Sequence, residues 1–237
     1  MRAICAIVAS LMLSGNTFAD VINVPADYAT IQGAINASSD GDVIVVAPGT
    51  YTSTQDGHVV DMKGKAVTLR ASGTPEETII DGENARRGIA CFNGEIESTV
   101  IEGFTITNGN ATWYDYDGDG KNDSWEDSGG GIRCDNSSPT ISGCRIVENA
   151  STTGGGGGMS LFSSNPAISG CTIESNEAKN FGGGIYCYAN SNPIITACTI
   201  SSNTTSSGGG IFCILSNPTI SSCTIEGNTV GGSGGGM

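Results

Sequence analysis

A chain of 237 residues with a formal charge of −14 lacks the clustered Lys and Arg that a phosphate backbone or an anionic membrane rewards. This argues against nucleic acid as a partner and against bulk attraction to acidic polysaccharide. Thirty-six glycines against 14% charged residues favour tight turns over solvated helices, and the length suits one domain with a continuous core.

In chain order, residues 1–19 read as a signal peptide. Arg2 supplies the positive start, Ala3 to Leu13 the apolar stretch, and Thr17-Phe18-Ala19 a small-x-small cleavage site near Ala19. The mature chain is therefore expected to be secreted or held at the cell surface. No second stretch approaches the roughly twenty apolar residues of a membrane span. Residues 20–237 form the single remaining domain. Within 26–40, Ile31, Ala34 and Ile35 fall at helical spacing and predict a short amphipathic helix that covers the N-terminal end of the core. VIVVAPGTY from Val43, VTLRASG from Val67 and TIIDG from Thr78 read as irregular strands.

From Gly129 onward a repeat of roughly 26 residues takes over. Its units open at GGGIRC (Gly129), GGGMSL (Gly156), GGGIYC (Gly182) and GGGIFC (Gly208), with a last GGGM at Gly234. Later in each unit comes SPTISGCRIVEN (Ser138), NPAISGCTIESN (Asn165), NPIITACTISSN (Asn192) or NPTISSCTIEGN (Asn217). Period-two alternation around Ile141, Ile168, Ile195 and Ile220 is that of strands with one buried face. Short strands at fixed spacing, without helical crossovers, pair in parallel only by coiling into a solenoid. The predicted fold is all-β, a right-handed parallel β-helix with a short N-terminal capping helix; left-handed hexapeptide coils, at about eighteen residues, are too short. The same register reaches upstream: Gly88-Ile89-Ala90-Cys91 matches GGIRC, and Val100 to Ile106 matches TISGCRI with Phe104 in a cysteine column.

Asn149, Asn176, Asn203 and Asn228 recur in phase and predict a side-chain amide ladder along the solenoid. Outside the signal peptide, eight cysteines fall in two columns. One is Cys91, Cys134, Cys187 and Cys213, interrupted by Leu161; the other is Cys144, Cys171, Cys198 and Cys223. Export permits disulfides between coils. Strands about 4.8 Å apart favour stacked thiols over bridges whose Cβ atoms prefer about 3.8 Å. Zinc is not expected, since the cysteines form no C-x-x-C pair beside a histidine.

The interruption at about 110–127 carries DYDGDGKNDSWE, a full calcium-loop pattern. Asp115, Asp117 and Asp119 would supply carboxylates, Gly120 the sharp turn, Lys121 its carbonyl, Asp123 a water-mediated contact and Glu126 a bidentate carboxylate. Four acidic ligands so close repel one another unless a hard cation is present, so Ca2+ is the expected cofactor. The Gly-rich flanks do not read as EF-hand helices. Trp113, Tyr114, Tyr116 and Trp125 bracket the loop, placed either to stack on sugar rings or to pack it against the solenoid wall. His58 reads as a surface loop residue. Arg86 and Arg87 read as adjacent turn residues, Arg133 and Arg145 as outward positions of one coil, and Asp81 and Asp135 as neighbours in register.

PADYATIQGAINASSDGDVIVVAPGTY, with TIIDG and GFTITNG, resembles the N-terminal region of pectate-lyase-like right-handed β-helix proteins. The GGGI and I-x-x-N blocks are similar to the GGAI and FxxN repeats of bacterial surface β-helix proteins of the polymorphic outer-membrane family. Here Gly or Ile stands for the Ala, and Ile for the Phe. That superfamily holds lyases, hydrolases, esterases, adhesins and tailspikes, so the resemblance implies the fold without selecting an activity. The polygalacturonase Asp pairs and His-Gly signature are not found, nor is the Gln and Asp set of pectin methylesterases. Two functions fit. One is a calcium-stabilised module that recognises a polysaccharide or cell-surface glycan through outward Ser and Thr columns (Ser142, Ser169, Thr196, Ser221; Thr172, Thr199, Thr224). The other is a polysaccharide lyase or glycoside hydrolase acting on acidic polysaccharide, with Arg133 as base beside the calcium loop; no residue is assigned as catalytic. The glycine triplet before Met237 elsewhere opens a coil, which predicts a truncated chain whose last layer is capped by further sequence or by another chain.

Overall fold

The computed structural model describes residues 19–54, 57–111, 127–232 and 234–237. The signal segment 1–18 and the calcium-loop residues Asp115, Asp117, Asp119, Lys121, Asp123 and Glu126 lie outside the described residues, as do Trp113, Tyr114, Tyr116 and Trp125.

One turn of the repeat shows how the sequence folds. Ile132–Asp135, Thr140–Ser142, Arg145–Val147 and Ala150–Ser151 are four short strands. Each pairs in parallel with its equivalent one coil on, for example Ile132 with Met159 and Ile141 with Ile168. Stacking the coils gives sheets of eight, seven, six and five strands among the described residues. The architecture is an all-β parallel solenoid.

Across the acidic interruption the register holds. Cys134 pairs with Cys91, Ile141 with Ile101 and Ile146 with Ile106. The coils before Ala111 and after Asp127 therefore stack as direct neighbours.

The only helix among the described residues, Ile31–Ala37, is shorter than the predicted 26–40 segment. The Asp27 carboxylate accepts from the Asn23 amide at 2.7 Å and ties the preceding residues into a turn. Thr30 caps the first turn by accepting from the Gly33 amide, and Asp42 accepts from the Ser39 amide at 2.7 Å just past the end. Ile31, Ala34 and Ile35 are buried. Gln32 donates to the Asp61 carbonyl (3.1 Å) and accepts from the Asp61 amide (2.8 Å). Its side chain therefore pairs like a strand with the outermost strand of the six-stranded sheet and blocks that edge. None of the described helices is long and apolar enough to cross a membrane.

Inside, Ile141, Ile168 and Ile195 stack in one column and Ile146, Ile173 and Ile200 in another, all buried. Each is worth about 1.5–3 kcal/mol of burial. All eight cysteines are free thiols that complete this core, six of them buried.

The corners are polar but satisfied. Asn149 accepts from the Gly109 amide (2.8 Å) and donates to the Ile106 carbonyl (2.9 Å) and to the Asn176 side chain (3.0 Å). Asn176 repeats this toward Asn203, and Asn203 toward Asn228. A second ladder went unread in the sequence. The amides of Ser137, Ser164 and Ser191 donate to the hydroxyls of Ser164, Ser191 and Ser216 at 3.0–3.1 Å. Its first rung is closed by buried Glu95, which accepts from the Ser137 hydroxyl (2.7 Å) and the Gly64 amide (2.7 Å).

The glycine triplets serve two needs. Their first member has positive φ, from 58° at Gly182 to 78° at Gly234, a region costly for a side chain. Their third member abuts the next coil: a Cβ on Gly131 or Gly184 would lie 2.6 Å from the carbonyl oxygen of Gly158 or Gly210.

Candidate functional site: an aromatic cleft on the six-stranded sheet

Because side chains alternate along a strand, Ile185 and Cys187 enter the core while Tyr186 and Tyr188 face outward. In-register pairing turns this into two outward columns. One runs Arg133, Ser160, Tyr186, Phe212; the other runs Asp135, Phe162, Tyr188, Ile214. Phe181, bridged to Gly155 and Ser207 at the preceding corner, adds another ring.

The rings contact one another. Phe181 stacks on Phe212 with centroids 4.7 Å apart and planes 22° apart, and on Tyr186 at 5.7 Å. Phe162 meets Tyr188 at 5.4 Å. Such pairs prefer offset faces and add about 0.5–1.5 kcal/mol beyond their burial. Half-buried in this cluster, the Tyr186 hydroxyl is pushed above its usual pKa, chiefly by desolvation.

The aromatic column breaks at Ser160. Gly154 and Gly155 add no side chain beside it, and a cavity of about 370 Å³ opens between the rings and Arg133. Its apolar wall is Phe162, Phe181, Tyr186 and Tyr188; its polar groups include Ser128, Ser160 and Asn180. At Gly155 the fit is close, since a Cβ there would come within 2.8 Å of the Tyr186 ring.

Arg133 occupies the outward position read from the sequence, but it is not a solvated charge. It is 1% exposed, pairs with Asp135 at 3.0 Å and sits 5.4 Å from the Phe92 ring centroid. A guanidinium so engaged is held as a cationic wall and is poorly placed to serve as a lyase base. Arg87 is likewise not on a turn. It lies in the strand Arg87–Cys91, fully buried, donating to the carbonyls of Ser128 (2.9 Å) and Gly129 (2.8 Å). Its guanidinium lies 5.6 Å from the Phe92 centroid. Arg86 remains in the turn and pairs with Glu83.

Other readings also change. Arg145 pairs with Glu76 at 3.0 Å from the seven-stranded sheet, away from Arg133. Asp81 and Asp135 are on different sheets, so they do not form a pair. His58 belongs to the strand His58–Asp61 rather than a surface loop. Burial holds its imidazole below the usual pKa, with Asp61, 3.9 Å away, pulling the other way. It lines a second, larger groove of about 840 Å³ between the helix and the N-terminal strands, together with Gln32, Asn36, Tyr51 and Asp61.

The predicted Ser and Thr columns form as read: Ser142 pairs with Ser169, Ser169 with Thr196 and Thr196 with Ser221, and on the next sheet Thr172 pairs with Thr199 and Thr199 with Thr224. They make a regular polar surface. Sequence reasoning missed the cleft, although its signal was present in the strings IYCY and IFCI, with aromatics at alternate outward positions of neighbouring coils.

In comparisons with known families, residues 42–236 match the family described as "Right handed beta helix region". Neither the curated proteins nor the solved structures contain a match to the chain.

Proposed function

Since the chain belongs to the right-handed β-helix family, a scaffold that fixes side chains in rows, we propose that it is a secreted or cell-surface module that recognises carbohydrate through the aromatic cleft beside Arg133. One observation carries this reading: the break in the aromatic column at Ser160, which leaves a cavity of about 370 Å³ walled by ring faces and edged by a guanidinium. Apolar walls with a few convergent polar groups are the usual make-up of a small-ligand site of this size. Sugar rings offer apolar C–H faces to aromatic side chains and hydroxyls to Ser and Asn, so both halves of the lining find a partner.

Calcium belongs to the same proposal. Its support is the spacing of Asp115, Asp117, Asp119, Lys121, Asp123 and Glu126, together with the point where the insertion leaves the wall. Asp127 and Ser128, at its C-terminal foot, are buried, and Ser128 lines the cleft. A cation that orders the insertion would therefore act next to the binding face. The signal-peptide pattern of residues 1–19 supports export.

The test is a glycan array probed with the full chain, with and without calcium, followed by calorimetry on any hit. Tyr186→Ala removes one stacking face and is expected to weaken binding roughly 3- to 10-fold, which corresponds to about 0.5–1.5 kcal/mol. Ser160→Tyr continues the aromatic column into the cavity and is expected to abolish binding while leaving the fold intact. Binding indifferent to both changes would refute the site. Turnover of an acidic polysaccharide, seen as ultraviolet-absorbing unsaturated product, would replace recognition with lyase chemistry.

A further inference from the structure

The interior cysteines form a second regular array, independent of the cleft. Cys144 Sγ lies 3.4 Å from the Ser142 carbonyl oxygen and 3.8 Å from that of Ile101. Cys171 repeats these distances with Ser169 and Ile141, and Cys198 stands at 3.3 Å and 3.8 Å from Thr196 and Ile168. Identical surroundings mean identical side-chain conformations, so successive sulfurs are separated by the rise of one coil, about 4.8 Å.

That spacing is wrong for a disulfide, whose Cβ atoms prefer about 3.8 Å. It suits a different link. A zinc–thiolate bond is about 2.3 Å and a two-coordinate Cu(I)–thiolate bond somewhat shorter, so an ion midway between two sulfurs on a line spans at most about 4.6 Å, within a small adjustment of the side chains. Linear coordination by two soft thiolates is a preferred geometry of Cu(I), which such ligands select over harder ions.

We propose that neighbouring thiols of the two columns form interior Cu(I) sites, each ion held by two sulfurs in line along the solenoid axis. Leu161 fixes the pairing in one column, because it separates Cys91 and Cys134 from Cys187 and Cys213. The other column, headed by Phe104, divides into Cys144 with Cys171 and Cys198 with Cys223. Four ions per chain follow.

The backbone supplies a second observation. The Cys198 amide donates to Cys223 Sγ at 3.4 Å, and the Cys144 and Cys171 amides act in the same way on the sulfurs of Cys171 and Cys198. Each sulfur of this column thus meets an N–H donor that a thiolate would use, beside the two carbonyl oxygens to which the free thiol donates. In the other column Cys91 is in register with Cys134, and Cys187 with Cys213.

In the metal-free chain the eight cysteines are free thiols. Binding therefore exchanges protons for metal: two R–SH and one Cu(I) give RS–Cu–SR with one negative charge and two released protons. No electron is transferred. Apparent affinity is expected to rise about a hundredfold per pH unit while both thiols are protonated in the free protein.

The full chain, purified anaerobically, would be titrated with Cu(I) buffered by a competing chelator. Native mass spectrometry then gives the stoichiometry and X-ray absorption the number of sulfur neighbours. Four ions per chain with two sulfurs each is the expected result. Cys134→Leu, a residue the column already carries at Leu161, should bind three. Cys223→Ser, at the half-buried end of its column, should also bind three without disturbing the packed interior. Asp119→Asn in the acidic insertion should leave four. Three-coordinate copper, a stoichiometry indifferent to both cysteine variants, or fewer than eight alkylatable thiols in protein prepared without reductant would overturn the proposal.

Discussion

Replacing Asn176 with Ala tests whether the corner amide ladder holds the coils together. Asn176 is 1% exposed. Its Oδ1 accepts from the Asn149 amide and from Asn149 Nδ2, both at 3.0 Å, and its Nδ2 donates to the Ile146 carbonyl (2.8 Å) and to Asn203 Oδ1 (3.0 Å). Most of these partners have other bonds to fall back on. Asn149 Nδ2 keeps the carbonyls of Ile106 and Val147, and Asn203 Oδ1 keeps the amide of residue 176. The Asn149 amide loses its acceptor in a dry corner, while the Ile146 carbonyl keeps its place in the ladder with the next coil. With one stranded group at about 1–3 kcal/mol and the other bonds lost besides, the expected cost is about 3 kcal/mol. The same change at Asn228 removes acceptors from the Asn203 amide and side chain (2.9 Å each), but at a half-buried position where water can substitute. There the expected cost is about 1 kcal/mol. Urea unfolding followed by circular dichroism measures both. Hydrogen exchange should accompany it, because solenoids can unravel coil by coil rather than in one step. Equal losses at the two positions would refute the reasoning, since it rests on burial and not on asparagine as such.

Gly184→Ala should be severely destabilising, by about 3 kcal/mol or more, because its Cβ would lie 2.6 Å from the Gly210 carbonyl and 3.1 Å from Asn203 Nδ2. Gly143→Ala, with φ at 57° but open space around it, occupies a corner where Ala197 is already found at 53°; it should cost only about 1 kcal/mol. Thermal melts of the two variants compare them directly. Asp42 accepts from the amides of Ser39 and Asp20, which hold its carboxyl below the ordinary value of 3.8. A depressed acid contributes stability that is present above its unfolded pKa and lost as pH falls through the folded one. The stability gap between the parent and Asp42→Asn should therefore be widest above about pH 4 and close on acidification. A gap constant across an acid titration would show that these amide contacts do not stabilise the fold.

How much was legible in the sequence depended on repetition. Asn149 to Asn228, the glycine triplets and the two cysteine columns each pose one constraint in successive coils, so spacing alone revealed them. The coil containing Cys91 and Phe104 was recovered by matching columns across the insertion, and its pairing with 132–147 bears that out. Features built once were not recovered. The burial of Arg87 depends on Phe92, Ser128 and Gly129, residues up to 42 positions away in the chain with no period linking them. His58 lies beside a segment too irregular to mark where its strand starts. The serine ladder was hidden because Ser137, Ser164, Ser191 and Ser216 sit among other serines and asparagines with the same turn preferences. The cleft required knowing that outward residues of successive coils touch, which follows only once the register is fixed.

The strand Met159–Phe162 links these observations. Against GGGIRC, GGGIYC and GGGIFC it reads GGGMSLF, with Met for Ile, Ser where later coils have an aromatic, and Leu for Cys. The two inward changes keep apolar bulk, as a packed core requires, since volume-conserving swaps cost less than about 1.5 kcal/mol. The outward change meets no such constraint, and it converts a continuous aromatic row into a cavity ending at Arg133. A solenoid couples its coils through the inward columns and leaves the outward ones free. A departure from consensus on the outer face is therefore the place to seek recognition, and this one lies beside Ser128, where the acidic insertion rejoins the wall. Of the residues that flank the insertion, Ala111 belongs to the five-stranded sheet and Asp127 adjoins the Ser128 that lines the cleft, and the asparagine ladder continues from Asn149 to Gly109 on the coil before it.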